Sequence, residues 1–212
     1  MAGRVLAVIN QKGGTGKTTL AVNLAGGLIR RGRTRLLDAD PQASATQWAS
    51  LAEAPGQGVP EVQPVAESVV DALERTREDA EYVVVDCPPH FDPDAARALM
   101  GAADTVLIPV LPSPMDLWGS VRLGEALEEA RARKPGLGIY FLVNQMESRS
   151  ALSRAMQHAL AEFHFPTLAA RVRRRAIYRH AALEGRTVYN LGRRGEAAVQ
   201  ELEAVLEEVL AT

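Results

Sequence analysis

A short aliphatic run, Val5 to Ile9, leads into Asn10-Gln11-Lys12-Gly13-Gly14-Thr15-Gly16-Lys17-Thr18-Thr19, after which a helical pattern begins. Residue types at this spacing bind phosphate. Gly13, Gly14 and Gly16 let the backbone turn its N–H groups, that of Thr15 included, inward around phosphate oxygens. The helix opening at Lys17, Thr18 and Thr19 adds the positive end of its dipole. The Lys17 ammonium would reach the β and γ phosphates, and the Thr18 hydroxyl can ligate Mg2+. The chain has 21 Arg but only three Lys, and two of those, Lys12 and Lys17, stand in this one loop. A compact ammonium kept among so many guanidinium groups points to a role for the point charge itself.

Three carboxylates follow apolar runs. Asp86 ends Tyr82-Val83-Val84-Val85, where an isolated charge is costly unless a cation meets it, and Mg2+ shared with Thr18 removes that cost. Asp38 and Asp40 follow Arg35-Leu36-Leu37. A carboxylate there can orient an attacking water, although Asp-Pro-Gln also makes a good turn. The run before Asp38 is short, which leaves the strand end, and Asp38 more than Asp40, open.

Seven runs read as strands: Val5 to Ile9, Arg35 to Leu37, Glu61 to Val65, Tyr82 to Val85, Thr105 to Val110, Ile139 to Val143 and Leu168 to Val172. Helical patterns lie between and after them, at Lys17 to Arg31, Gln42 to Leu51, Ser68 to Ala80, Asp94 to Ala102, Leu117 to Lys134, Ala151 to Phe163 and Glu196 to Leu210. This alternation predicts a doubly wound α/β fold, a mainly parallel sheet with helices on both faces, as one domain over residues 1–212. Glu53 to Pro60, with two Pro and two Gly, reads as a surface loop. Hydrophobic residues at 47% and charged residues at 24% are the balance of a globular protein and exclude disorder, collagen and coiled coil. No apolar run approaches the roughly 20 residues of a membrane span, and the single cysteine, Cys87, fits a cytoplasmic protein without structural zinc.

The segment Gln11-Lys12-Gly13-Gly14-Thr15-Gly16-Lys17-Thr18-Thr19 resembles the deviant Walker A motif of the ParA/MinD family of P-loop NTPases. Leu36 to Thr46 looks like that family's switch I, and Tyr82 to Pro89 looks like its Walker B strand and following turn. The resemblance implies a Mg2+-dependent ATPase that forms an ATP-dependent homodimer, with Lys12 reaching the partner subunit's nucleotide. It gives Asp40 the attacking water, and Asp38 with Asp86 and Thr18 the metal and its water shell. Pro112, in Val110 to Leu117, would lie near adenine, and the Asn144 amide would read its edge.

Net charge is only −2, yet residues 147–194 carry ten Arg against three Glu. Arg171, Arg173, Arg174, Arg175 and Arg179 fall where ParA proteins contact DNA without sequence preference, which implies nucleoid association. A solvated arginine-rich face is the plainer alternative. By the same resemblance, a ParB-like or McdB-like adaptor would stimulate hydrolysis, the cargo being a plasmid, a chromosome or a protein organelle such as the carboxysome. A MinD-like membrane switch would need a basic amphipathic end, whereas Glu196 to Leu210 carries only glutamates beside its apolar face, so no membrane is expected. An ATP-gated scaffold with little turnover is the other alternative. His158, His164 and His180 show no metal-like clustering.

Overall fold

The computed structural model describes residues 3–53, 59–66, 68–89, 92–112, 114–147 and 165–211, with the backbone alone over 114–123. Six strands form one sheet: β1 (Arg4–Val8), β2 (Thr34–Asp38), β3 (Glu61–Pro64), β4 (Tyr82–Asp86), β5 (Thr105–Val110) and β6 (Gly138–Val143). Their order is β3-β2-β4-β1-β5-β6, every pairing parallel. Among the described residues the α-helices are α1 (Lys17–Leu28), α2 (Ser44–Ser50), α3 (Val69–Asp79), α4 (Pro93–Ala102), α5 (Pro114–Arg133), α6 (Ala176–Leu183) and α7 (Glu196–Leu210).

Alternation along the strands explains why both faces are covered. Val5, Ala7, Val83 and Val85 pack with α3, α4 and α5, while Leu6, Val8, Leu36 and Val84 pack with α1, α2, α6 and α7. The apolar face of α7, formed by Ala198, Leu202, Val205, Leu206 and Val209, is buried in the second of these layers. Among the described residues no helix is long and apolar enough to cross a membrane.

The short run before Asp38 is in fact a full strand. β2 extends one residue at each end, and Asp38 pairs in register with Asp86. The expected strand at Leu168 to Val172 is instead interrupted. Its ends bond to the β6 edge, with Leu168 N–H to Phe141 O at 2.9 Å and Val172 N–H to Val143 O at 3.1 Å. Between them the N–H groups of Ala169 and Ala170 turn away to the Glu208 carboxylate at 2.7 and 2.6 Å. α1 stops at Leu28, short of Arg31, and α6 was not expected at all. The expected helix at Ala151 to Phe163, with His158 and His164, lies outside the described residues, as do five residues of the loop before Pro60.

Candidate nucleotide site

β1, β2 and β4 are neighbours, so their carboxyl ends bring the glycine-rich loop, Asp38 and Asp86 together. That edge is where open parallel sheets bind ligands. The loop is held by side chains at its base. Asn10 donates to Pro109 O at 2.7 Å and accepts from Lys12 N–H at 3.0 Å. Asn144 donates to Thr15 O at 2.7 Å, and Gln145, itself at φ +51°, donates to Gly14 O at 3.0 Å. Gly16 sits at φ +88°, and a Cβ there would come within 2.5 Å of the Asn144 amide nitrogen. Glycine is therefore required by both conformation and space.

α1 begins at Gly16 without a side-chain cap and without an acidic residue in its first turn. Its first N–H groups are thus left to an anion. Lys17 is buried and its Nζ donates to Lys12 O at 3.2 Å. Burial lowers its pKa, against the opposing pull of Asp86, Cys87 and Asp40. Lys12, Thr18 and Thr19 are half-buried, Thr15 is buried, and Gly13 and Gly14 are exposed.

Asp86 is fully buried, and neither oxygen makes a hydrogen bond of full geometry. Burial raises its pKa to about 7, and Asp38 and Asp40 add to the rise. The nearby Thr18 hydroxyl and Lys17 ammonium pull it down. An orphaned buried carboxylate beside the Thr18 hydroxyl offers oxygen donors that fit a hard divalent cation. The same burial pushes the neighbouring Cys87 thiol up, which disfavours its thiolate. Asp38 is buried too, but its oxygens are engaged. Oδ2 accepts from Thr46 N–H and Thr46 Oγ–H, each at 2.8 Å, and Oδ1 accepts from Asp40 N–H at 3.3 Å. Asp40 is half-buried and accepts from Gln42 N–H at 2.9 Å.

A cavity of about 570 Å³ opens from the loop, lined by Gly16, Thr19, Asn144 and Gln145 on one side and Arg173, Arg174, Arg175 and Arg179 on the other. Its size suits a nucleoside. Pro112, at the end of β5, is half-buried and does not line it. The arginines divide into two sorts. Arg175 grips Glu201 at 2.6 Å, Arg173 meets the same carboxylate at 3.7 Å, and Arg171 donates to the carbonyls of Leu168, Ala169 and Ala170. Among the described residues Arg174 meets only the exposed Glu147, at 3.1 Å, and Arg179 is exposed.

Asn10, Gln145 and Thr46 were not singled out from sequence. Asn10 lies inside the motif and could have been, since a buried amide at a strand end needs partners; the other two act through contacts that spacing does not reveal.

Fold and site together define a P-loop ATPase with a second lysine at the head of its phosphate loop. A family model for the CobQ/CobB/MinD/ParA nucleotide binding domain matches residues 6–188, and the chain belongs to that family. It is 44% identical to the maintenance of carboxysome distribution protein A of Halothiobacillus neapolitanus, over 97% of this chain and 95% of that one. It is 34% identical to the chromosome-partitioning ATPase Soj of Thermus thermophilus, over 74% and 75% of the two chains. The apo McdA structure from Cyanothece superposes with a TM-score of 0.78 at 20% identity, covering 98% of this chain and 99% of that one. The chain is an ATPase of the partition and positioning type.

Proposed function

We propose that the chain positions carboxysomes: an ATP-bound sandwich dimer holds nucleoid DNA without sequence preference, and an adaptor on the cargo releases it by stimulating hydrolysis. The observation that carries this reading is 44% identity, end to end, with a carboxysome distribution protein. Buried apolar residues on α7 favour DNA over a membrane as the track, because that face is already occupied. A plasmid or chromosome as cargo is the second reading, favoured by the similarity to Soj.

In the proposed mechanism Lys17 and the N–H groups of residues 13–19 hold the β and γ phosphates, and Lys12 reaches the partner subunit's nucleotide. Asp40 orients the attacking water. Mg2+ supplies charge neutralisation at the phosphates when bound, and Asp86 and Thr18 are the residues that would hold it. Asp38 supports that set from its bonds to Asp40 and Thr46. Asn144 gives one N–H to Thr15 O, and its second N–H and its oxygen are the groups that would read the base edge. DNA contact falls to Arg174 and Arg179, with Arg173, whereas Arg171 and Arg175 are engaged within the chain.

The test is retention on nonspecific duplex DNA at low salt with ATP, with ADP and without nucleotide, beside anionic liposomes. Retention should need ATP, fall steeply with salt and fail when Arg174 and Arg179 are changed to Glu. Binding to liposomes alone, or DNA binding indifferent to nucleotide, would reject the DNA reading.

A further inference from the structure

Thr46 touches neither nucleotide nor metal in the proposed chemistry, yet it makes two hydrogen bonds to one buried carboxylate. Its N–H and hydroxyl both donate to Asp38 Oδ2, at 2.8 Å each, across eight residues of chain. The other oxygen of Asp38 accepts from Asp40 N–H at 3.3 Å. Asp40 is bonded further within the same loop: its carboxylate accepts from Gln42 N–H at 2.9 Å, and its carbonyl accepts from Ala43 N–H at 2.8 Å. Ala43, the residue before α2, stands at φ +51° and ψ 39°, a left-handed conformation that an alanine adopts only under constraint. Asp38 is thus the hub of a strained loop, and Thr46 is its anchor on α2.

α2 is fastened on its far side too. Trp48 is buried in the layer formed with α1, α6 and α7, and its indole N–H donates to Arg186 O at 3.0 Å. Arg186 opens the segment that continues through Thr187 to Arg194 behind α6. The position of Asp40, the rotation of α2 and the backbone at Arg186 therefore share one chain of bonds.

We propose that Thr46 is a positioning residue for hydrolysis: by holding Asp38 it sets Asp40 against the phosphate loop, and Trp48 carries that setting to the Arg186 segment. The proposal rests on the reading of Asp40 as the group that orients water. Loss of the Thr46 hydroxyl leaves the Lys17 end of the site intact, so it acts on turnover and spares ATP binding.

The experiment measures ATP turnover and tryptophan emission in a Trp118→Phe background, where Trp48 is the one remaining tryptophan. Thr46→Val, Thr46→Ser and Asp40→Ala are compared. Thr46→Val should lower kcat about tenfold with KM for ATP within about twofold, since one hydrogen bond to a charged group is lost. Thr46→Ser, which keeps the hydroxyl, should return kcat to within about twofold of the parent. The ATP-dependent change in Trp48 emission should shrink in Thr46→Val and recover in Thr46→Ser. Full turnover in Thr46→Val, a defect that Thr46→Ser does not repair, or a rise in KM equal to the fall in kcat overturns the proposal. An unaltered Trp48 response in Thr46→Val overturns the link to Arg186. If Asp40→Ala itself turns over normally, the reading of Asp40 falls and takes the proposal with it. If Asp40→Ala is inactive and Thr46→Val is not impaired, the proposal alone falls.

Discussion

The phosphate edge and the arginine wall face each other across one cavity and manage their charges in opposite ways. At the phosphate edge Asp86 is buried with both oxygens unpaired, and α1 begins without a cap. At the arginine wall Glu201 takes Arg173 and Arg175, Glu147 takes Arg174, and backbone carbonyls take Arg171. An edge left uncompensated is completed by a ligand, whereas a wall most of whose arginines are paired stands without one. Nucleotide and metal should therefore stabilise the first region strongly, and changes in the second should be felt mainly by whatever it touches outside.

The largest effect should come from Lys17→Ala. Removing a positioned cation from the transferring phosphate is expected to lower turnover by at least about a hundredfold. Radioactive or coupled phosphate release would measure it. Turnover within tenfold of the parent would mean that the loop does not hold the reacting phosphate. Asp86→Asn separates function from stability at the same edge. Burial raises the Asp86 pKa to about 7, above its ordinary 3.8, so the folded chain disfavours the charge. Its contribution is whole below about pH 4, is lost as pH rises towards 7, and stays lost above. Without nucleotide, Asp86→Asn should melt several degrees higher than the parent at pH 8, with the gap narrowing at pH 5. Turnover should disappear in the same protein. A variant that melts lower at pH 8 would mean that the carboxylate has partners inside the ligand-free fold.

Legibility from sequence follows the same division. The tasks proposed for Lys12, Lys17, Thr18 and Asp86 follow from residue type and order along the chain, without knowledge of packing. The parallel sheet was legible as well, because strands such as Tyr82–Asp86 are buried on both faces and read as unbroken apolar runs. What pairs across distance was hidden. Nothing near Arg175 announces Glu201, 26 residues away, and nothing near Ala169 announces that Glu208 will pull its N–H out of a strand. α6 escaped notice for a related reason: it has eight residues, starts at Ala176 with no side-chain cap from Arg175, and is held by burial of Tyr178 and Ala181.

Glu201→Gln tests the wall where its pairing is strongest. The carboxylate is 15% exposed and accepts from Arg173 N–H at 3.1 Å and from the Arg175 side chain at 2.6 Å, with the Arg173 guanidinium 3.7 Å away. Its neutralisation should cost about 1–3 kcal/mol, read as a fall in melting temperature. The same change frees positive charge, so DNA retention with ATP should survive higher salt. Loss of stability with no gain in retention would assign Arg173 and Arg175 to structure alone.

Glu147→Gln should have the smallest effect on the fold and is the sharpest test of the comparison. Both partners of the Glu147–Arg174 pair are 67% exposed, so solvent already screens them and stability should stay within about 0.5 kcal/mol of the parent. Arg174 nevertheless loses its only acidic partner among the described residues, at the mouth of the cavity. If the wall meets DNA, retention should tighten with melting temperature unchanged, and the salt slope should steepen by up to about one counterion. If the wall meets the nucleoside instead, the change should appear in the affinity for ATP and leave the salt slope alone. Measuring both on one variant distinguishes a surface that faces outward from one that closes over the bound nucleotide.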